Sequence, residues 1–394
     1  MSKKLLLSAL SCVLSFMLIA PYSLPTATAK EVSMPLPTGP YKVGVEWRHW
    51  VDASRNEIFG QAPDQTPHSK REMMVEILYP ASPSDGAKTA PYMINKQSVL
   101  SAFTDLATDN GIAYAPKVDD VANMQTHSYL NAPLSDGQAQ YPVLIFSHGA
   151  GGEVTMYTAQ LEDLASHGYI VVAINHAYGA ASTVFPNGRT VHYDLSKGLD
   201  GTAPIWSQDQ IFVINQLEAL NQGDPDNLLT NHLDLSRLGV FGHSLGGAAA
   251  TMTCFLDKRC KAGVNEDGPV FGDAIAKGLP QPFMYMITDH RFFYDPTSYK
   301  NAHGPFYEVA LKGFEHFNFG DWPFWNNVSS LHDTFWLGGL DGERSTAITR
   351  TYLSAFFDKY LKGADETLLQ GASPDYPEVS LQSQNVMLAK IRAT

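Results

Sequence analysis

Hydrophobic and polar positions along this chain change rhythm near Pro142. Beyond it, short apolar runs alternate with stretches whose apolar residues recur at helical spacing. The runs at 143–146, 169–174, 238–241, 262–264, 283–287 and 307–311 are short, continuous and bounded by polar or Gly-containing segments, and they read as buried strands. Residues 155–167, 210–220, 245–256 and the closing 346–361 read as helices. Strands alternating with helices predict a mostly parallel sheet covered on both faces. In such sheets functional groups collect at the carboxyl ends of the strands.

Before Pro142 the pattern is looser. Residues 30–70 are rich in Pro, Gly and polar residues and read as an irregular lead-in with an edge strand expected at 41–47, followed by a better strand at 73–79 that Pro80 ends. Residues 81–140 mix Pro, Asp and Gly with short helical patches such as 99–108. They read as an insertion placed before the main sheet, with about 90–135 as a cap. No internal repeat or long low-complexity tract is present.

The first residues carry a different signal. Lys3 and Lys4 give a basic start, residues 5–20 are an apolar run, and Ala27, Thr28 and Ala29 offer a small-residue cleavage site. The run of 16 residues before Pro21 is short of the roughly 20 that span a bilayer. Cleavage rather than a membrane span is therefore expected, with 1–29 as signal peptide, 30–394 as a single domain, and a periplasmic or secreted product. Cys12 is a poor lipidation site, because Ala9, Leu10 and Ser11 precede it and apolar residues continue beyond it.

The signal region holds two of the 27 Lys and Arg and none of the 40 Asp and Glu, so the remainder balances at 25 − 40 = −15. Such a chain is repelled by nucleic acid and anionic membranes. Of the three cysteines only Cys254 and Cys260 lie beyond residue 29. That even count suits an oxidising compartment and a short disulfide loop, against the alternative of two buried thiols. No paired Cys or His spacing suggests a metal site.

Directly after the strand at 238–241 stand Gly242, His243, Ser244, Leu245 and Gly246, then Gly247 and three alanines. A bare G-x-S-x-G is weak, arising by chance in roughly one chain in ten of this length. A strand before it and a small-residue helix after it make it a nucleophile elbow, the mark of the α/β-hydrolase fold. Ser244 is the candidate nucleophile. A serine needs a base, an orienting acid and an oxyanion hole. The amide after the serine, here Leu245, is one expected donor to that hole. The other comes from the glycine-rich loop 147–152 after an earlier strand, where Ala150 is the better choice and Gly149 the next; His148 reads as structural.

Triad partners in this fold follow the serine in the order acid, then His. Of His290, His303, His316 and His332, His316 stands five residues past the strand at 307–311 and is the candidate base. His290 comes too early. Two acids fit by spacing: Asp267, after the strand next to that of the nucleophile, and Asp289, one strand further on.

Several segments together resemble the plasma-type platelet-activating factor acetylhydrolases and their bacterial relatives. They are 141–152, LASHGYIVVAINH at 164–176, the elbow, AGVNEDGPVF at 262–271 and GFEHFNF at 313–319, with VEILYPA at 75–81 and APYMINK at 90–96 upstream. The likeness runs over roughly 72–320. It implies an acid after the strand that follows the nucleophile helix, which is Asp267. It also implies a serine esterase acting on small-molecule or lipid esters without a metal or organic cofactor. Departures are Ala150, where the animal enzymes carry a bulkier apolar residue, His-Ser-Leu rather than His-Ser-Phe at the elbow, and no evident apolar membrane-docking surface.

A short acyl ester is the expected substrate class. Phe317, Phe319, Trp322, Phe324, Trp325, Phe335 and Trp336 follow the histidine as a wall for an acyl or aryl group, or as ordinary packing of a long loop. Amidase or peptidase activity with the same triad is the alternative within enzymes. A dienelactone-hydrolase type is disfavoured, since that group has Cys where this chain has Ser244. A non-catalytic binding module is disfavoured because nucleophile, base, acid and hole residues are all present. The sequence leaves the oligomeric state open.

Overall fold

Alternation along the strands sorts the core into two layers. In the strand 141–147, Val143 and Ile145 join one apolar cluster while Leu144 and Phe146 join the other; Ile170 and Val172 against Val171 and Ala173 do the same in the next strand. Period-two side chains on a sheet buried on both faces give this division. The computed structural model describes residues 34–60 and 69–386, except 110, 113–115, 122–123, 326–327, 333, 335 and the side chains of 328 and 329. The expected signal region and Phe335 lie outside the described residues.

Strands β1 (Lys42–Asn56), β2 (Lys70–Ala81), β3 (Thr89–Pro91), β4 (Gln125–Leu130), β5 (Tyr141–Ser147), β6 (Ile170–His176), β9 (Leu233–His243), β10 (Cys260–Glu266), β11 (Phe283–Ile287), β12 (Phe306–Leu311) and β13 (Val379–Gln384) form one sheet. Its order is β13-β12-β11-β10-β9-β5-β6-β2-β1-β4-β3. The six strands from β12 to β6 are mutually parallel, β13 is antiparallel to β12, and β2 is antiparallel to β6 and β1. A separate hairpin joins β7 (Ser182–Val184) and β8 (Thr190–His192). Helices are α1 (Lys96–Asp109), α2 (Val118–Val121), α3 (Thr158–Ser166), α4 (Gly198–Gln222), α5 (Leu245–Leu256), α6 (Asp273–Lys277), α7 (Pro296–Lys300) and α8 (Gly342–Phe357). Residues of α4 and α5 pack in the cluster on one face, those of α3 and α8 in the cluster on the other. This is the α/β-hydrolase fold.

Three local expectations change. The strand expected at 41–47 is not an edge: β1 runs to Asn56 and near its start pairs with β2 on one side and β4 on the other, so its apolar start is covered twice. Segment 81–140 is not wholly outside the sheet, because β3 and β4 extend it beyond β1. Helix α4 begins at Gly198, three turns before the apolar periodicity becomes clear, and contains Pro204. Cys254, at the end of α5, is disulfide-bonded to Cys260 at the start of β10, with Cα atoms 5.1 Å apart. No helix among the described residues is long and apolar enough to cross a membrane.

Candidate active site

Strand β9 delivers Ser244 at its carboxyl end, where the chain turns into α5 with Ser244 at φ 54°, ψ −121°. A non-glycine residue there is strained by about 1–3 kcal/mol and needs surroundings that hold it. Ser244 N–H donates to the Glu266 carbonyl at 2.8 Å, and its own carbonyl accepts from Ala248 N–H at 3.0 Å. The turn is crowded by backbone: a Cβ on Gly242 would stand 2.6 Å from the Ser147 carbonyl oxygen, and one on Gly246 would overlap that same carbonyl. The two glycines of the motif are therefore required by close approach of main chain to main chain.

The predicted partners meet at this serine. His316 Nε2 lies 3.0 Å from Ser244 Oγ, and His316 Nδ1 lies 2.8 Å from Asp267 Oδ2. Asp267 Oδ1 accepts from Thr288 Oγ1 at 3.1 Å. Asp267 itself sits at φ 51°, with its N–H bonded to the Met286 carbonyl at 2.9 Å. Asn265 supports that turn by accepting from Gly268 N–H at 2.8 Å and donating to Thr251 of α5 at 3.2 Å. Asp289 is elsewhere engaged, accepting from Gly313 N–H at 2.6 Å. His290 lies 2.5 Å from Glu315 at the surface, where that carboxylate raises its pKa.

The loop after β5 leaves the Ala150 amide unclaimed. Gly149 N–H donates to Tyr157 Oη, Gly151 N–H to the Gly179 carbonyl and Gly152 N–H to the Gly149 carbonyl, whereas Ala150 N–H has no acceptor among the described residues. Leu245 N–H, in the first turn of α5, likewise has none, and the positive end of the helix dipole adds to its field. His148 points away from this space. Its Nε2 accepts from His176 N–H at 3.3 Å, and burial, together with nearby His176, holds its pKa down to about 3.

Tyr157 was not legible as a site residue, since in a helical stretch it reads as one more core aromatic. Its hydroxyl lies 3.1 Å from Gly149 N and 2.8 Å from His243 Nδ1, so one side chain ties the glycine loop to the elbow. Glu266, beside Asp267, is fully buried, and burial raises its pKa to about 8 against the opposing bond from Gln160. Burial thus favours the neutral form of Glu266.

The cavity over Ser244 has a volume of about 240 Å³. From the loop after the histidine, Phe317, Trp322 and Trp336 line it; Phe103, Leu106 and Ala107 of α1 line another side. The remaining described aromatics of that loop, Phe319, Phe324 and Trp325, do not line it and only pack in the core, where Phe317 and Trp322 are buried as well. Three of the six thus face the cavity and three serve packing alone.

A strained serine at a strand–helix junction, on a parallel sheet of this order and lining an apolar cavity, defines a hydrolase of the α/β-hydrolase fold. Within that class the chain is similar to the platelet-activating factor acetylhydrolases, and it is an ester hydrolase. The family described as "Platelet-activating factor acetylhydrolase, isoform II" matches residues 26–194, which include the Ala150 loop and end before the elbow. A "Probable 1-alkyl-2-acetylglycerophosphocholine esterase" of Arthroderma benhamiae is 26% identical over 88% of this chain and 92% of its own length. A platelet-activating factor acetylhydrolase of Bos taurus is 26% identical over 75% of this chain and 73% of its own. The solved ferulic acid esterase of Streptomyces cinnamoneus superposes with a TM-score of 0.74 at 28% identity, covering 89% of this chain and 99% of that one.

Proposed function

We propose that this chain is a serine carboxylic-ester hydrolase that acts on short-acyl esters through an acyl-enzyme. The reading rests chiefly on the continuous hydrogen-bonded line from Asp267 through His316 to Ser244, ending in a cavity beside two unclaimed amides. His316 Nε2 takes the Ser244 proton as Oγ bonds to the ester carbonyl carbon. Asp267 fixes the imidazole with Nδ1 protonated and stabilises the imidazolium. The Ala150 and Leu245 amides receive the charge that develops on the carbonyl oxygen. Collapse expels the alcohol, which takes the proton from His316, and water repeats the sequence in reverse to release the acid.

The small apolar cavity supports a short acyl or compact aryl group over a long chain. Residues 1–29 are proposed to be removed on export and 30–394 to work as one hydrolase domain capped by about 90–135. The bonded Cys254 and Cys260 agree with a compartment outside the cytosol. The test is a chain-length series of p-nitrophenyl esters, with the matching anilides and sn-2 acetyl phospholipid, alongside fluorophosphonate labelling read by peptide mapping. Fastest turnover of acetyl to butyryl esters with label on Ser244 is expected. Faster cleavage of anilides, or an unlabelled Ser244, would defeat the reading.

A further inference from the structure

A second cavity, of about 250 Å³, lies where β1, β2, β6 and the β7–β8 hairpin meet the start of α1, and it shares no lining residue with the cavity over Ser244. Its wall is apolar and partly aromatic: Trp47, Met74, Met93, Val99, Phe185 and Pro186. Ser98 of α1 and Ser182 of β7 are joined through their hydroxyls at 3.1 Å across the same junction.

Asn95, Glu153, Thr155, Asn175 and Ser182 interrupt the apolar lining, and two of them offer hydrogen-bond acceptors to it. In β6 the residues alternate, and Val171 and Ala173 point into the apolar layer shared with α3 and α8. The next position on that face is Asn175, which lines the cavity, is 3% exposed, and has an Oδ1 with no hydrogen-bond partner among the described residues. Buried polar atoms are normally paired, so an orphan carbonyl on a cavity wall marks a place for a donor. Glu153 lines the cavity too; its Oε2 is held by Thr155 N–H at 3.0 Å, which leaves Oε1 for another partner. Both groups accept hydrogen bonds.

We propose that this cavity is a second ligand site, taking a small apolar molecule with one hydrogen-bond-donating end, a hydroxyl or a primary ammonium. The donor end meets Asn175 Oδ1 and Glu153, and the body lies against Trp47, Met74 and Phe185. The site is independent of the esterase reading, since Ser244, His316 and the glycine loop's Ala150 take no part in it.

The test is isothermal titration of the full chain with 2-phenylethylamine, 2-phenylethanol and, as a donor-free control, ethylbenzene. The alcohol, the amine or both should bind saturably with Kd on the order of 1 mM, and ethylbenzene at least about tenfold more weakly. The alcohol and the amine, being the two donor chemistries, are thereby ranked. Val184→Trp, filling the cavity from its rim, should abolish binding. Asn175→Leu should lower affinity for the donor probes about tenfold and bring ethylbenzene level with them. If that buried variant does not fold, Val184→Trp decides the matter. No saturable binding up to about 20 mM overturns the proposal, as does equal binding by wild type and Val184→Trp. Loss of binding after fluorophosphonate labels Ser244 would place the probe in the reaction cavity and overturn it as well. Retained binding in Ser244→Ala would support it even if the esterase reading failed.

Discussion

Among the described residues stand two Ser-His-Asp lines with nearly the same distances. In one, Ser244 Oγ lies 3.0 Å from His316 Nε2, and His316 Nδ1 lies 2.8 Å from Asp267. In the other, Ser147 Oγ lies 2.9 Å from His176 Nε2, and His176 Nδ1 lies 2.8 Å from Asp209. Spacing cannot tell them apart. Ser147 is wholly buried at the end of β5, and its hydroxyl also accepts from Gln210 Nε2 at 2.8 Å, so no ester carbonyl can approach. His176 is stacked on Trp206 with centroids 4.1 Å apart, and Asp209 is clamped by Arg71 at 2.6 Å and Arg55 at 2.7 Å. Burial outweighs the neighbouring carboxylate and brings the His176 pKa down to about 4, too low for it to hold a proton taken from a serine near neutral pH. A nucleophile needs an opening onto a cavity and donors waiting for the charge it creates; Ser147 has neither, whereas Ser244 lines the cavity. The buried line acts as a strut, fixing the strand end from which the glycine loop departs.

The comparison breaks first if the wrong serine reacts. Ser244→Ala should cut kcat for p-nitrophenyl acetate by about 10⁵-fold or more, while Ser147→Ala, in folded protein, should change it less than about tenfold. Next, Asp267→Asn should cost about 10⁴-fold in kcat and Asp289→Asn only a few-fold. Equal losses would transfer the orienting role. On the buried side the effect should be on stability: Asp209→Asn leaves Arg71 without its principal counter-charge and should lower the unfolding free energy by about 3 kcal/mol in urea titrations, with kcat per folded molecule near that of wild type.

Two smaller effects sharpen the contrast. Tyr157→Phe releases the glycine loop from the elbow and should lower kcat about tenfold with KM within about twofold, because the amide it positions matters most once charge has developed. A rise in KM alone would make Tyr157 a packing residue. Glu266 has a folded pKa of about 8 against an ordinary 4.5. The linkage contribution is therefore fully present below pH 4.5 and is lost as pH rises through 8. Wild type should match Glu266→Gln at pH 4 and fall behind it by about 2 kcal/mol at pH 6.

The parallel strands and the elbow were legible because their residues are apolar without interruption and are followed at once by glycines or helix starters. Strand β13 was not legible, since in VSLQSQ only Val379 is buried and an edge position leaves the rest polar. The start of α4 was hidden by Gly198, Gly201 and Pro204, which suggest a loop until packing against α5 overrides propensity. At the site, Ser244, His316, Ala150 and Leu245 could be named from order along the chain. Between Asp267 and Asp289 spacing was neutral, and it is the direction set by the turn after β10 that brings one carboxylate to the imidazole. Tyr157 gave no signal, because a hydroxyl that ties two loops together looks, in sequence, like any core aromatic.

The crowded turn at Gly242 and Gly246 also divides the site for anyone wishing to reshape it. Around the serine, main chain touches main chain, so those positions accept no side chain and a randomised library there would return mostly unfolded protein. Across the cavity stand Phe103, Leu106 and Ala107 of α1, away from that turn. New selectivity can be explored on that helix while the machinery beneath it stays as it is.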